Sequence, residues 1–228
     1  MEKVVVFGNG PVASINYMAL THDSPYEVAA FTVDRSYIKE ETLLGLPVVP
    51  FEDVESIYPP SEYKMSIVIS YRKLNRVRAE KYDQAKAKGY QLINYISSKA
   101  VTFPDLIIGD NNFIWENASI GPFAAIGNNV FIGSGSLIGH HSIVKDHCYI
   151  SPHAVILGST TIEPYCVIGA NATIRDGGLI IARECIIGAG AFINQNTREK
   201  GVYMGTQSRL APKTSDELST WLTWGMKS

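Results

Sequence analysis

From residue 107 onward an aliphatic side chain returns at every sixth position: Ile108, Ile114, Ile120, Ile126, Ile132, Ile138, Val144, Ile150, Ile156, Ile162, Ile168 and Ile174. Four residues after most of them comes a small one, as at Ala118, Ala124, Ser136, Ser142, Cys148, Ala154, Thr160, Cys166 and Ala172. Glycine follows the aliphatic at 109, 121, 127, 133, 139 and 169, which reads as a turn that a side chain would obstruct. A half-buried strand alternates with period two, so a period of six requires very short strands separated by turns. Charge follows the same pattern. Residues 107–196 hold only nine of the chain's 42 charged residues, from Asp110 to Glu184.

This pattern resembles the hexapeptide-repeat family, whose fold is a left-handed parallel β-helix. In that family three hexads make one triangular coil, so residues eighteen apart stack and coils pair as parallel strands about 4.8 Å apart. The resemblance places Cys148 above or below Cys166. Cys185 lies nineteen further on, and the next aliphatics, Ile181 and Ile187, also arrive one residue late. A one-residue bulge within 175–179 accounts for both, making the three cysteines an inward column of core filler. A prism filled with isoleucine has no room for a ligand. Any site must therefore lie outside, with a neighbouring subunit as its second wall, as in the family's trimers.

The first third of the 228-residue chain is different. KVVVF (3–7) reads as a buried strand followed by Gly8-Asn9-Gly10-Pro11-Val12-Ala13, a GxGxxA turn entering a helix that runs to Met18 or Leu20. YEVAAFTV (26–33) reads as a second strand ending in Asp34, where a dinucleotide fold places its ribose-binding acid. Then come VVPFEDV, a strand KMSIVIS (64–70), a charged helix near 74–89 and a last strand YQLINYI running into the repeat. About 95 residues is short for a full dinucleotide fold, and Pro11 lacks a phosphate-binding N–H.

A Rossmann-like α/β domain followed by a hexapeptide β-helix is similar to the bacterial nucleotide-sugar acetyltransferases. These comprise the bacillosamine-pathway and viosamine-type N-acetyltransferases and the sialic-acid O-acetyltransferase group. NYISSKA (94–100) stands where the family reads IHPSA, and GVYMGTQSRL (201–210) where it reads GVxxGxPAK. The expected domains are 1–94 for the nucleotide sugar, 95–212 for the acyltransferase β-helix and 213–228 for a C-terminal helix.

The resemblance implies a nucleotide-sugar site at Gly8, Asn9, Gly10 and Asp34. The loop SYRKLNRVR (70–78) adds Tyr71, Arg72, Lys73, Asn75 and Arg78 to grip a pyrophosphate or nucleotide. Val12 replaces a histidine common in that glycine loop. GHHSIVKDHCYISPHAVILG (139–158) resembles the family's H-[ED]-C-x-I-G stretch, which makes His140 the general base, available near neutral pH. His141, the second catalytic candidate, stands where the family carries an acid, so either a carboxylate such as Asp146 or Glu163 substitutes or the base role of His140 is weaker. Acetyl-CoA, the implied co-substrate, would meet Tyr149, Gly158, Ala170, Ala189 and Arg209. Pro122 and Gly158, eighteen residues on either side of His140, leave its ring uncovered.

The reading is therefore a cytoplasmic homotrimer that N-acetylates a dTDP- or UDP-linked 4-amino-4,6-dideoxy sugar for surface polysaccharide. Two alternatives stay open: O-acetylation of a sialic-acid-like sugar, and a non-catalytic scaffold that binds a nucleotide sugar. A zinc site like that of γ-class carbonic anhydrases is not expected, because no histidines are spaced for its HxxxxH pair. A net charge of -2 with no basic run argues against nucleic acid, and no apolar run is long enough to span a bilayer. The start, with one Lys and four apolar residues before Gly8, does not read as a signal peptide, and three cysteines fit a reducing compartment. In the tail, Thr214 and Glu217 fit a capping box ahead of an apolar face of Leu218, Trp221 and Leu222.

Overall fold

The computed structural model describes residues 1–210, 212 and 214–218. The N-terminal part contains β1 (Glu2–Phe7), α1 (Pro11–His22), β2 (Tyr26–Val33), β3 (Thr42–Leu43), β4 (Leu46–Pro50), α2 (Val54–Ile57), β5 (Tyr63–Ile67) and α3 (Arg76–Ala87). The sheet order is β3-β4-β2-β1-β5, parallel except for the β3–β4 hairpin. Strand order reverses between β1 and β5, the switch point at whose carboxyl end α/β sheets bind ligands. YQLINYI is not a strand of this sheet. Leu92 makes one bridge to Met65, and Tyr95–Ile96 pairs instead with Phe113–Ile114 in the repeat.

Two-residue strands from Tyr95–Ile96 to Val202–Tyr203 form three further sheets of five, seven and five strands. Through most of the repeat each strand pairs in parallel with the one eighteen residues away, as in Ile132↔Ile150 and Ile150↔Ile168. The arrangement fits a left-handed β-helix. The offset becomes nineteen at Ile162↔Ile181, after Gly177 and Gly178 at φ 106° and 74°, so the bulge lies where the spacing places it.

The isoleucine ladder is buried, with Ile114, Ile120, Ile132, Ile138, Ile150, Ile156, Ile162, Ile168 and Ile174 all at 0% exposure. Each contributes about 1.5–3 kcal/mol. The small residues line the same core, and the polar ones among them are satisfied: Ser136 Oγ donates to Ser151 O (3.0 Å) and Thr160 Oγ1 to Leu157 O (2.7 Å). Cys148, Cys166 and Cys185 are also buried. A hydrogen bond with Cys148, then burial, drives the Cys166 thiol pKa upward, and burial raises that of Cys185. The three side chains are filler of the β-helix core.

The glycines do a different job from the one read in the sequence. Those after the aliphatic do not adopt positive φ; a Cβ on Gly139 would lie 2.5 Å from Gly158 N, and one on Gly169 2.5 Å from Ala189 N. They permit the next coil to approach. The left-handed corners fall two residues later, at Asn111, Asn117, Phe123, Asn129, His141, His147, His153, Ser159, Tyr165 and Asn171. Asn and His are enriched in that conformation. Three of the clustered histidines are thus corner residues, and among the described residues no cluster of three His, Cys, Asp or Glu side chains is arranged to hold a metal ion.

Among the described residues no helix is long and apolar enough to cross a membrane. The capping box is present at the start of α4 (Ser215–Leu218): Thr214 N donates to Glu217 Oε2 (2.7 Å) and Glu217 N to Thr214 Oγ1 (3.4 Å). The tail's apolar face lies outside the described residues.

At the far end of α1, Asp23 binds the chain leading into the repeat. Its Oδ2 accepts from Tyr95 OH (2.9 Å), Ser97 Oγ (2.9 Å) and Ser98 N (3.0 Å). The Ser98 hydroxyl first, and then these bonds, hold its pKa down to about 2 from 3.8. Because the unfolded chain takes up the proton first, Asp23 stabilises the fold above about pH 4 and loses that effect as pH falls toward 2. Asp23→Asn is expected to lower the denaturation midpoint at neutral pH. Its deficit against the parent protein should shrink through this acid window, as measured by urea titration at several pH values.

Candidate active site: two clefts

A cavity of about 730 Å³ opens at the switch point. Phe7 and Gly8–Ala13 form one side, Val33, Asp34 and Tyr37 another, and Val68–Ser70, Arg72, Lys73, Val77, Glu80 and Lys81 the third. Gly8 is required here: its φ is 135° and a Cβ would lie 3.0 Å from Val68 O. Pro11 occupies the first turn of α1 after Gly10, and Asn9 Nδ2 donates to Tyr37 O (2.8 Å). Gly8, Asn9, Gly10, Asp34, Arg72 and Lys73 therefore converge as expected from their positions in the chain.

Three expected members do not. Asn75 is fully buried and Nδ2 donates to Cys166 O (3.3 Å), while Arg78 is 2% exposed and bound to backbone carbonyls. Both lie at the start of α3 on the side turned toward the β-helix, while Val77 between them lines the cavity. Tyr71 lies outside the lining, edge-on to Tyr149 at 4.9 Å. Lys81 was missed. One helical turn beyond Val77 on the same face of α3, its Nζ lies 2.5 Å from Asp34 Oδ1. The acid read as a ribose ligand thus already holds a cation.

A second cleft, about 540 Å³, lies against the β-helix and is lined by Gly121–Phe123, Leu137–His141, Leu157, Gly158 and Asp176. His140 follows the strand Leu137–Ile138, and His141 is the left-handed corner beside it (φ 57°). His140 Nδ1 and His141 Nδ1 are 3.1 Å apart, so one ring donates to the other. The Phe123 ring, one coil away, packs on His141 at 4.7 Å. Gly158 does more than leave the imidazole uncovered: a Cβ there would sit 2.6 Å from His140 Cε1 and Nε2.

Neither expected carboxylate reaches this cleft. Asp146 Oδ1 accepts from Asn128 N (2.7 Å) and Glu163 pairs with Lys145 (2.6 Å), both on other corners of the prism. Asp176 is the acid in the lining, and the stacking rule could have found it, since it lies eighteen residues beyond Gly158. Tyr149 is also elsewhere. It begins a strand of the seven-stranded sheet, stacks on Phe131 at 4.4 Å and meets Tyr71. Ala170 and Ala189 follow strands of that same sheet, and exposed Arg209 follows the last strand. None of the four lines the cleft of His140 within one chain.

Residues 105–140 and 141–176 match the bacterial transferase hexapeptide (six repeats) family, and 159–195 match the hexapeptide repeat of succinyl-transferase. The segment 105–195 is therefore similar in sequence to these hexapeptide repeats. No curated protein matches the chain by sequence. Among solved structures, the acetyltransferase domain of PglB from Neisseria gonorrhoeae is similar (TM-score 0.79, 22% identity, 90% of this chain and 97% of that one). So is PerB from Caulobacter crescentus, solved with CoA and GDP-perosamine (0.78, 22%, 89% and 94%). WeeI from Acinetobacter baumannii also aligns (0.72, 22%, 90% and 98%). These likenesses extend over both parts of the chain and establish a shared fold.

Gly158→Ala tests the packing at His140. The methyl group is expected to displace the ring, shifting the imidazole NMR signals of His140 and His141 while the circular dichroism spectrum is preserved. Unchanged signals would show that the stack has room to spare.

Proposed function

We propose that this protein is an acetyl-CoA-dependent N-acetyltransferase acting on a nucleotide-linked amino sugar, a 4-amino-4,6-dideoxy sugar used for surface polysaccharide. The observation that carries the reading is the paired imidazole in the β-helix cleft, with the Cε1–Nε2 edge of His140 seated over Gly158, where the missing Cβ makes room for it. If His140 donates from Nδ1 to His141, its Nε2 keeps a free lone pair and becomes the base. The sugar amine attacks the thioester carbonyl and Nε2 takes the amine proton; as the C–S bond breaks, Nε2 returns that proton to the sulfur, CoA leaves as the thiol and the imidazole is neutral again. Transfer is direct, because the cysteines are buried. PerB, of the same fold, holds CoA and a nucleotide amino sugar together.

His141 holds His140 in that tautomer without adding the negative charge an acid would supply. An amine tolerates the weaker base better than a hydroxyl does, which favours N- over O-acetylation. The first cleft, with Gly8–Gly10 and the cations Arg72 and Lys73, suits the nucleotide diphosphate. Gly158 and the Ala170 and Ala189 positions, assigned to acetyl-CoA, stand on different corners of one prism. A single cleft containing both needs a second copy, which supports a homotrimer with sites between subunits; exposed Phe123, Ile143 and Phe192 give such a contact apolar area.

The test is incubation with acetyl-CoA and, in separate arms, dTDP- and UDP-4-amino-4,6-dideoxyglucose, GDP-perosamine and a sialic-acid-like acceptor. Thiol release and a one-acetyl mass gain on an amino sugar are expected, and His140→Ala should slow turnover by about 10²–10⁴. Turnover only of the sialic-acid-like acceptor would select O-acetylation. No turnover of any acceptor would leave the non-catalytic scaffold.

A further inference from the structure

Lys73, Leu74 and Asn75 have φ of 48°, 55° and 63°. Non-glycine residues enter the left-handed region one at a time, and three in succession persist only where surrounding contacts impose them. Local bonds here are sparse, chiefly Asn75 N to Tyr71 O (3.3 Å) and Arg76 N to Lys73 O (3.2 Å). The restraint comes from the β-helix. Asn75 donates to Cys166 O, Arg76 pairs with Glu184 (2.9 Å), and Arg78 Nη2 donates to Asn129 O (3.2 Å), His147 O (3.4 Å) and Cys148 O (3.0 Å). Cys148, Cys166 and Glu184 stand on successive coils.

Arg78 is a poor device for holding two surfaces together. It is buried, its hydrogen bonds go only to carbonyls, its guanidinium lies 5.8 Å from the centre of the Tyr149 ring, and among the described residues it has no salt bridge to a carboxylate; burial lowers its pKa to about 10. Among the described residues its Nε and Asn75 Oδ1 have no hydrogen-bond partner. An unpaired buried cation is weak support for stability. What these groups do achieve is to fix the first turn of α3, and with it the strained turn that places Arg72 and Lys73 on the cavity wall.

We propose that Arg78 and Asn75 are positioning residues for the nucleotide cleft: by anchoring the left-handed 73–75 turn to the β-helix they aim Arg72 and Lys73 at a bound diphosphate. This rests on the nucleotide-site reading above. The affinity of the first cleft is then set by its docking on the second part of the chain.

The test is a double-mutant cycle in the full chain, with UDP, dTDP and GDP as probes in titration calorimetry. Lys73→Gln is expected to weaken the probe that binds about tenfold, the size of one lost charge-assisted contact. Arg78→Met should weaken it similarly, Arg78→Lys should recover part of the loss, and KM for acetyl-CoA should not move. The double variant should bind no worse than the weaker single one, because a released turn no longer presents Lys73. A purely structural role would lower the melting temperature and leave the dissociation constant unchanged; that result, or losses that multiply, overturns the proposal. If Arg78→Met does not fold, Asn75→Ala carries the same comparison. Should the parent protein bind none of the three probes, the nucleotide-site reading falls and this proposal with it. Binding by the parent that the variants leave unaltered sinks only the proposal.

Discussion

Each coil of the β-helix must lie flat on the coil before it, because its two-residue strands find their backbone partners only there. The ladder demands the strand spacing of about 4.8 Å at every corner as well as along every side. Two residue choices meet that demand. Isoleucine fills the interior at one position per side, and glycine at 121, 139 and 169 removes the Cβ that would strike the next coil. Side chains on the outer corners are then free to vary, and the cleft of His140 is placed there.

The left-handed corners form vertical columns with separate tasks. Asn111, Asn129 and His147 face the first domain. Asn111 exchanges hydrogen bonds with Ile67 N and O, donates to Asn129 Oδ1 (2.8 Å), and Asn129 Nδ2 contacts His147 Nδ1 (2.9 Å). Burial there lowers the His147 pKa, as expected of a neutral link in a docking ladder. Phe123, His141 and Ser159 form the column beside the His140 cleft. His153 belongs to the third, packed over Gly135. A cluster of histidines six apart in the sequence is thereby distributed over three faces with three roles.

Both clefts depend on this arrangement. His140 takes its orientation from one corner neighbour and its open side from a glycine one coil on. The loop that carries Arg72 and Lys73 takes its conformation from carbonyls of three coils. The β-helix therefore acts as a rigid template for a site it contains and for one it does not.

Much of the fold was legible in the chain itself. The hexad period set strand length and core, the nineteen-residue step from Cys166 to Cys185 located the bulge, and GxGxxA with Asp34 marked the lip of the first cavity. Periodicity works here because stacking makes a local repeat equal to a tertiary contact. His140 was singled out by the family resemblance; that Gly158 lies against it was legible from the stack, and Asp176 beyond it would have been.

Where contacts cross between the two parts no such rule operates. Sequence alone could not show that Arg78 and Asn75 turn away from the cavity, that Lys81 occupies Asp34, or that Tyr149 is packed beneath Tyr71. A charged residue on a helix reads as solvent-facing until the surface it docks on is known. Which corner of a threefold prism meets the first domain is likewise absent from a repeat whose sides look alike. The repeat determined the solenoid; docking of α3 and β5 on one of its three corners decided which side chains were left to form a site.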